Sequence, residues 1–201
     1  MSMFGLRIWA YNESDPEWKI ARSSGWSRAD LQWERLLEVA IRRYIAGDTL
    51  KSSLLFWRAY ILAKLRFNQH DLRLATSAAN LAQIAIHYGR RPLAGRLQAQ
   101  ALKIWESAPQ EIASMKIAPR ARSSLFHLRM EAKHRDVFEE NMRRRLSHFA
   151  KDTHETLVAL CSGTPTPHRH FSRWLGEKPG VFDDTRKILG ACLLMPERPQ
   201  Q

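Results

Sequence analysis

Cysteine is nearly absent from this chain of 201 residues: Cys161 and Cys192 stand far apart, outside any paired metal-ligand or redox spacing. A disulfide scaffold and thioredoxin-like chemistry are thereby set aside, and two reduced, mostly buried thiols are expected. Long apolar runs are missing too. No segment approaches the ~18 uninterrupted apolar residues of a membrane span. The opening MSMFGLRIWAYNESDPEWK is broken by Arg7, Asn12 and Glu13 before a signal-peptide core forms, so the expected location is the cytoplasm. Glycines are sparse, and Gly5, Gly25 and Gly180 are isolated rather than gathered into a phosphate-binding loop. Short alternations of polar and apolar residues are rare, which argues against a sheet and for an all-α fold.

What the chain does have is a periodic core in Leu74–Trp105, LATSAANLAQIAIHYGRRPLAGRLQAQALKIW. Leu74, Ala78, Leu81, Ala82 and Ala85 recur at helical spacing. After Gly89 a second stripe follows, with Ala94, Leu97, Ala101, Leu102 and Ile104. Two helices hinged at a glycine, with small residues on their facing sides, make a close-packed hairpin. The pattern occurs again upstream at a constant offset: Leu81, Ala82, Gly89, Leu97, Ala101 and Ile104 correspond to Val39, Ala40, Gly47, Leu55, Ala59 and Leu62. Downstream, Ala118, Leu125, Leu146 and Phe149 keep the apolar beat, but Phe126, Lys133, Phe138 and Arg145 replace the small residues and the hinge. A helix–turn–helix unit with a period of about 40 residues predicts a short α-solenoid, because each hairpin buries its apolar face only against a neighbour.

These residues resemble the tetratricopeptide repeat of the long-linker type found in kinesin light chains and many bacterial relatives. That repeat carries a Leu-Ala or Leu-Gly pair in its first helix, a hinge glycine and spaced alanines in its second. Leu81, Ala82, Gly89, Ala94 and Ala101 fill those places, Asn80 stands before the pair, and Ala40, Gly47, Phe56 and Ala59 fill them in the first copy. The resemblance covers roughly residues 30–150, about three hairpins, and is weakest in the third. It implies that the first helix of each hairpin lines a concave groove. The groove positions would then be Glu38, Ile41 and Tyr44 from the first copy, Thr76, Asn80, Gln83 and His87 from the second, and Arg120, Ser124 and His127 from the third. Asn80 is the sharpest of these, since an amide donates to and accepts from a peptide backbone at once. Bonding to an adjacent helix of its own chain is the alternative.

Capping signals organise the chain into a tryptophan-rich lead-in over 1–26, a repeat region over 27–151 and a C-terminal cap and tail over 152–201. Ser27 with Asp30 reads as a capping box, Asp48 and Asp71 stand where the next helices begin, and Pro92 falls in the first turn of another. Helices are then expected over 119–132, 136–151 and 155–161. Pro165 and Pro167 interrupt the pattern, and VFDDTRKILGACLLMPE reads as a last amphipathic helix that covers an end of the stack. Trp9, Trp18, Trp26 and Trp57 form an exposed patch if they do not fold back.

The charge balance is one-sided, 32 Lys and Arg against 20 Asp and Glu, for a net +12. Its clusters are Arg120, Arg122, Lys133, Arg135 and Arg143–Arg145, and such a surface attracts acidic protein segments or nucleic acid. Aromatic residues do not interleave with the basic ones as a single-strand platform requires. No catalytic constellation emerges. His168 and His170 are too few for a zinc site, Asp183 and Asp184 suit a helix start, and Glu139 and Glu140 suit local ion pairing. The expectation is a non-enzymatic, cofactor-free and metal-free adaptor that binds another protein, an acidic one on the argument from charge, and serves as an assembly or regulatory factor for a larger complex. The alternatives are a nucleic-acid-binding helical repeat and a permanent subunit of an assembly, with self-association a further expectation.

Overall fold

The computed structural model describes residues 16–115, 135–164 and 184–195, and among these every regular element is an α-helix. In chain order they are α1 (Pro16–Ser23), α2 (Arg28–Ile45), α3 (Thr49–Arg66), α4 (Leu72–His87), α5 (Arg91–Trp105), α6 (Ala108–Ser114), α7 (Arg135–Ser162) and α8 (Asp184–Ala191). No helix among the described residues is long and apolar enough to cross a membrane.

The local signals act as their chemistry requires. The Ser27 hydroxyl accepts from the Asp30 N–H at 3.2 Å, while the Asp30 carboxylate accepts from the Ser27 N–H at 2.6 Å, which satisfies orphan donors at the start of α2. Asp48 and Asp71 cap α3 and α4, and Pro92 sits in the first turn of α5. At the hinges, Gly47 (φ +83°) and Gly89 (φ +71°) adopt the left-handed conformation. The following N–H groups, of Asp48 and Arg90, reach back to the carbonyls of Arg43 and Ala85 at 2.9 and 2.8 Å. Each helix is thereby stopped and reversed within one turn.

The helices pack on their chain neighbours: α2 on α3, α3 on α4 and α4 on α5, with α7 lying against α5 and α6. Small residues make the close approach, Ala40 in α2, Ala59 and Ala63 in α3, Ala78, Ala82 and Ala85 in α4, and Ala94 and Ala101 in α5, all buried. Polar side chains rivet the helices together, both within a hairpin and between hairpins. Ser52 donates to the Ala40 carbonyl at 2.9 Å, the Tyr60 hydroxyl to Gln100 at 3.1 Å, and the Trp33 indole N–H to the Ser77 hydroxyl at 2.7 Å. α4 is central: every residue from Leu72 to Asn80 is buried, because α3, α5, α8 and the non-helical segment after α8 pack around it.

Three features depart from the sequence expectation. One continuous helix, α7, runs through 151–155, so the division at 151/152 falls inside it. Lys151–Glu155 contains neither Pro nor Gly, and the hydroxyls of Thr153 and Thr156 are satisfied by the carbonyls of Phe149 and Asp152. A short helix, α6, follows Trp105 where no helix was expected, with Pro109 accommodated in its first turn. The expected helix over 119–132 lies outside the described residues. Trp18 and Trp26 fold back into a small cluster with Ala21 and Leu31, whereas Trp57 is exposed.

Candidate functional site

α2 and α4, the first helices of the two regular hairpins, lie side by side with their N-terminal halves joined by an ionic cluster. The Arg73 guanidinium bonds Asp71 at 2.6 Å and also bonds Asp30 of α2, while its plane lies over the Phe67 ring at 3.6 Å. Burial pushes the Asp30 carboxyl up, but the Ser27 hydroxyl and N–H together with the Arg73 guanidinium outweigh it and hold the pKa below the ordinary carboxylate value. The Arg73 pKa, opposed by burial, is raised by Asp71 and Asp30.

Across this face lies the end of the described chain. α8 packs on α4 and touches α7, and residues 192–195 continue from it without helical structure. The attachment is specific in three places. Arg186 binds Glu34 of α2 through two nitrogens, Nε at 2.9 Å and Nη2 at 2.6 Å from Oε1, with its guanidinium 5.5 Å from the Trp26 ring. The Thr76 hydroxyl lies between the carbonyls of Leu72 and Ala191 and shares its single proton between them. Asn80 makes the third attachment: its amide nitrogen donates to the Leu193 carbonyl at 3.1 Å and its oxygen accepts from the Met195 N–H at 2.7 Å.

Those two backbone groups flank Leu194. They are the groups a residue on a neighbouring β-strand would satisfy, so the side chain of Asn80 stands in for a peptide unit. Cys192, Leu193, Leu194 and Met195 are all buried beneath or beside the helices. Their apolar side chains supply adhesion, while the Asn80 bonds fix register.

The expected groove residues therefore divide. Thr76 and Asn80 are sealed by the chain's own C-terminal segment rather than open to solvent, because the polar groups they would offer a partner are already matched. Glu38, Ile41 and Tyr44 on α2 and Gln83 on α4 are partly exposed, and His87 is exposed, so the C-terminal halves of these helices remain accessible. Glu38 pairs with Arg42 at 3.4 Å, and His87 packs edge-on to Tyr88 at 5.1 Å. Arg120, Ser124 and His127 lie outside the described residues, as do His168 and His170. The tail covers the α2–α4 face, a side of the helical layer, where an end of the stack was expected.

Sequence reasoning missed Glu34 and Arg186, which couple α2 to α8 over a long sequence separation. An acid directly after a tryptophan in a helix, Trp33-Glu34, was the available signal, but its partner follows only from the fold. Arg143, counted in a basic run, is occupied otherwise: its Nη1 and Nη2 donate to the carbonyls of Ile112, Ala113 and Met115 at 2.7–2.8 Å and close the C-terminus of α6. Beside α8 is a cleft of ≈ 320 Å³ lined by His70, Asp71, Arg73, Glu111, Lys187 and Ile188, among others. Burial and the nearby Asp71 charge raise the Glu111 pKa there. Among the described residues no cluster of three or more His, Cys, Asp or Glu has the arrangement of a metal site. Of the two thiols, Cys192 is buried as expected and Cys161 is exposed, on the solvent side of α7.

No protein-family model, curated protein or solved structure matches the chain.

Proposed function

We propose that this chain is a non-enzymatic adaptor of the tetratricopeptide type, a short α-solenoid whose first helices, α2 and α4, form a trough that grips a segment of another protein. The observation that carries the reading is Asn80: a buried amide on the trough-facing side of α4 that bonds a non-helical backbone through both of its atoms. Helical-repeat surfaces recognise extended segments in this way, with backbone bonds for affinity and side-chain pockets for specificity. The accessible halves of α2 and α4, bearing Glu38, Tyr44, Gln83 and His87, extend the same face beyond Met195 and are the surface on which a bound segment continues.

The test is affinity capture from native extract with wild type, Asn80→Ala and His87→Ala, each checked for helix content by circular dichroism. The expected result is a stoichiometric partner retained by wild type and lost or depleted in a folded groove variant. Identical partner sets for all three would remove the proposal.

The basic excess favours a second reading, nucleic-acid binding. Lys64, Arg66, Arg90, Arg91, Arg96 and Lys103 are exposed on α3, on α5 and on the turn between α4 and α5. Anisotropy with mixed oligonucleotides over a salt series decides it: affinity that falls steeply with salt supports it, and no binding at low salt ends it.

A further inference from the structure

Residues 184–195 are attached to the α2–α4 face much as a ligand is attached to a receptor. The contacts run in one direction along the segment: a cation first, a small residue next, then a backbone held by its polar groups. Arg186 meets Glu34, Gly190 lies against the Trp33 ring, Ala191 offers its carbonyl to Thr76, and Leu193 and Met195 present a carbonyl and an N–H to Asn80. The receptor side is chemically distinctive for so basic a protein. The side chains that meet the segment there are Glu34 and the neutral Thr76 and Asn80, while the nearby Arg73 is committed to Asp30 and Asp71. An acidic segment laid here would oppose Glu34; one with an arginine at its start matches it.

We propose that the external ligand of this face is a protein segment of the same chemistry as residues 184–195, and that the internal segment gives way to it. That ligand starts as a helical turn bearing an arginine for Glu34, passes through a small residue at Trp33, and ends in a non-helical apolar run whose backbone Asn80 holds. The inference rests on the adaptor reading and deepens it, by assigning the partner an arginine-led apolar segment where overall charge pointed to an acidic one. Because the internal copy is tethered, it competes at high effective concentration, and only a partner that also engages the open halves of α2 and α4 displaces it efficiently.

The experiment uses the full chain and a fluorescein-labelled peptide of residues 184–195 with serine in place of Cys192. Binding is read by anisotropy on wild type, on Arg186→Glu, which weakens the attachment of the internal copy and leaves Glu34, Thr76 and Asn80 in place, and on Arg186→Glu combined with Asn80→Ala. Arg186→Glu is expected to bind the peptide at least tenfold more tightly than wild type, and the double variant to lose that gain. A peptide carrying its own Arg186→Glu change is expected to bind at least tenfold more weakly than the unmodified one.

Hydrogen exchange of wild type with excess peptide supplies an independent reading that requires no variant to fold: backbone protection at 191–195 is expected to fall. Unchanged protection in wild type, or equal peptide affinity for folded wild type and folded Arg186→Glu, would overturn the proposal and make the segment a fixed part of the fold. If affinity capture still depends on Asn80 in that case, the adaptor reading survives while this one fails.

Discussion

Glycine has opposite values at two sites a few residues apart, and the contrast is testable. Gly89 ends α4 with φ +71°, where a side chain is strained even though a Cβ would meet nothing within 4 Å. Gly95 lies inside α5 at an ordinary helical φ, again with open space around a would-be Cβ. Gly89→Ala is expected to cost about 1 kcal/mol, and Gly95→Ala to stabilise by about 0.5–1 kcal/mol through helix propensity and a less flexible unfolded chain. Urea titrations of the two variants check the signs. Both hinges were legible in the sequence, because a glycine between two apolar helical stripes has few other uses. Asn80 was legible as a backbone-binding amide but not for what it binds, since its partners lie more than a hundred residues further along the chain.

Asp30 is the residue-scale source of acid sensitivity. Its folded pKa lies below the unfolded carboxylate value of about 4. The contribution of this group to stability is therefore complete above that value and is lost as pH falls through the lower, folded one. Asp30→Asn is expected to flatten the decline in stability as pH falls below about 4, measured by thermal unfolding over a pH series. An unchanged slope would show that the Ser27–Asp30–Arg73 cluster is not the titrating unit.

At the level of elements, α3 carries more exposed large apolar side chains than any other helix among the described residues. Phe56, Ala59 and Ala63 face inward, while Leu50, Leu54, Trp57 and Leu65 form an outward stripe, each roughly half exposed or more. A helix apolar on both sides needs cover on both. Leu54→Glu combined with Trp57→Lys is expected to leave the fold intact and to reduce concentration-dependent association, measured by analytical ultracentrifugation. Sedimentation identical to wild type would leave this stripe without a role in association.

The elements themselves were mostly readable. α2, α3 and α4 start at Ser27, Asp48 and Asp71, and α2 and α4 stop at Gly47 and Gly89, where capping chemistry is local and strong. α7 was read as two pieces because polar Lys151–Glu155 interrupts the apolar beat. Polarity does not break a helix, however, when threonines bond their own helical carbonyls.

For the molecule as a whole, the placement of α8 is the fact least visible in the sequence. Amphipathic patterning says that a helix must be covered but not by what, and the Glu34–Arg186 pair, which chooses the α2–α4 face over an end of the stack, joins residues far apart in the chain. Arg186, together with Lys187, also ties α8 to the tryptophan cluster around α1, with both cations over the Trp26 ring. Glu34→Gln is therefore expected to loosen both ends of the described structure at once, with faster hydrogen exchange in α8 and in 18–26 before any in α4 or α5.

The two cysteines give the protein a built-in gauge of this arrangement. Cys161 faces solvent while Cys192 is wholly enclosed beside the residues that Asn80 holds. A maleimide pulse on the native chain thus adds one label and not two, and the mass of a second label counts the molecules whose tail has lifted.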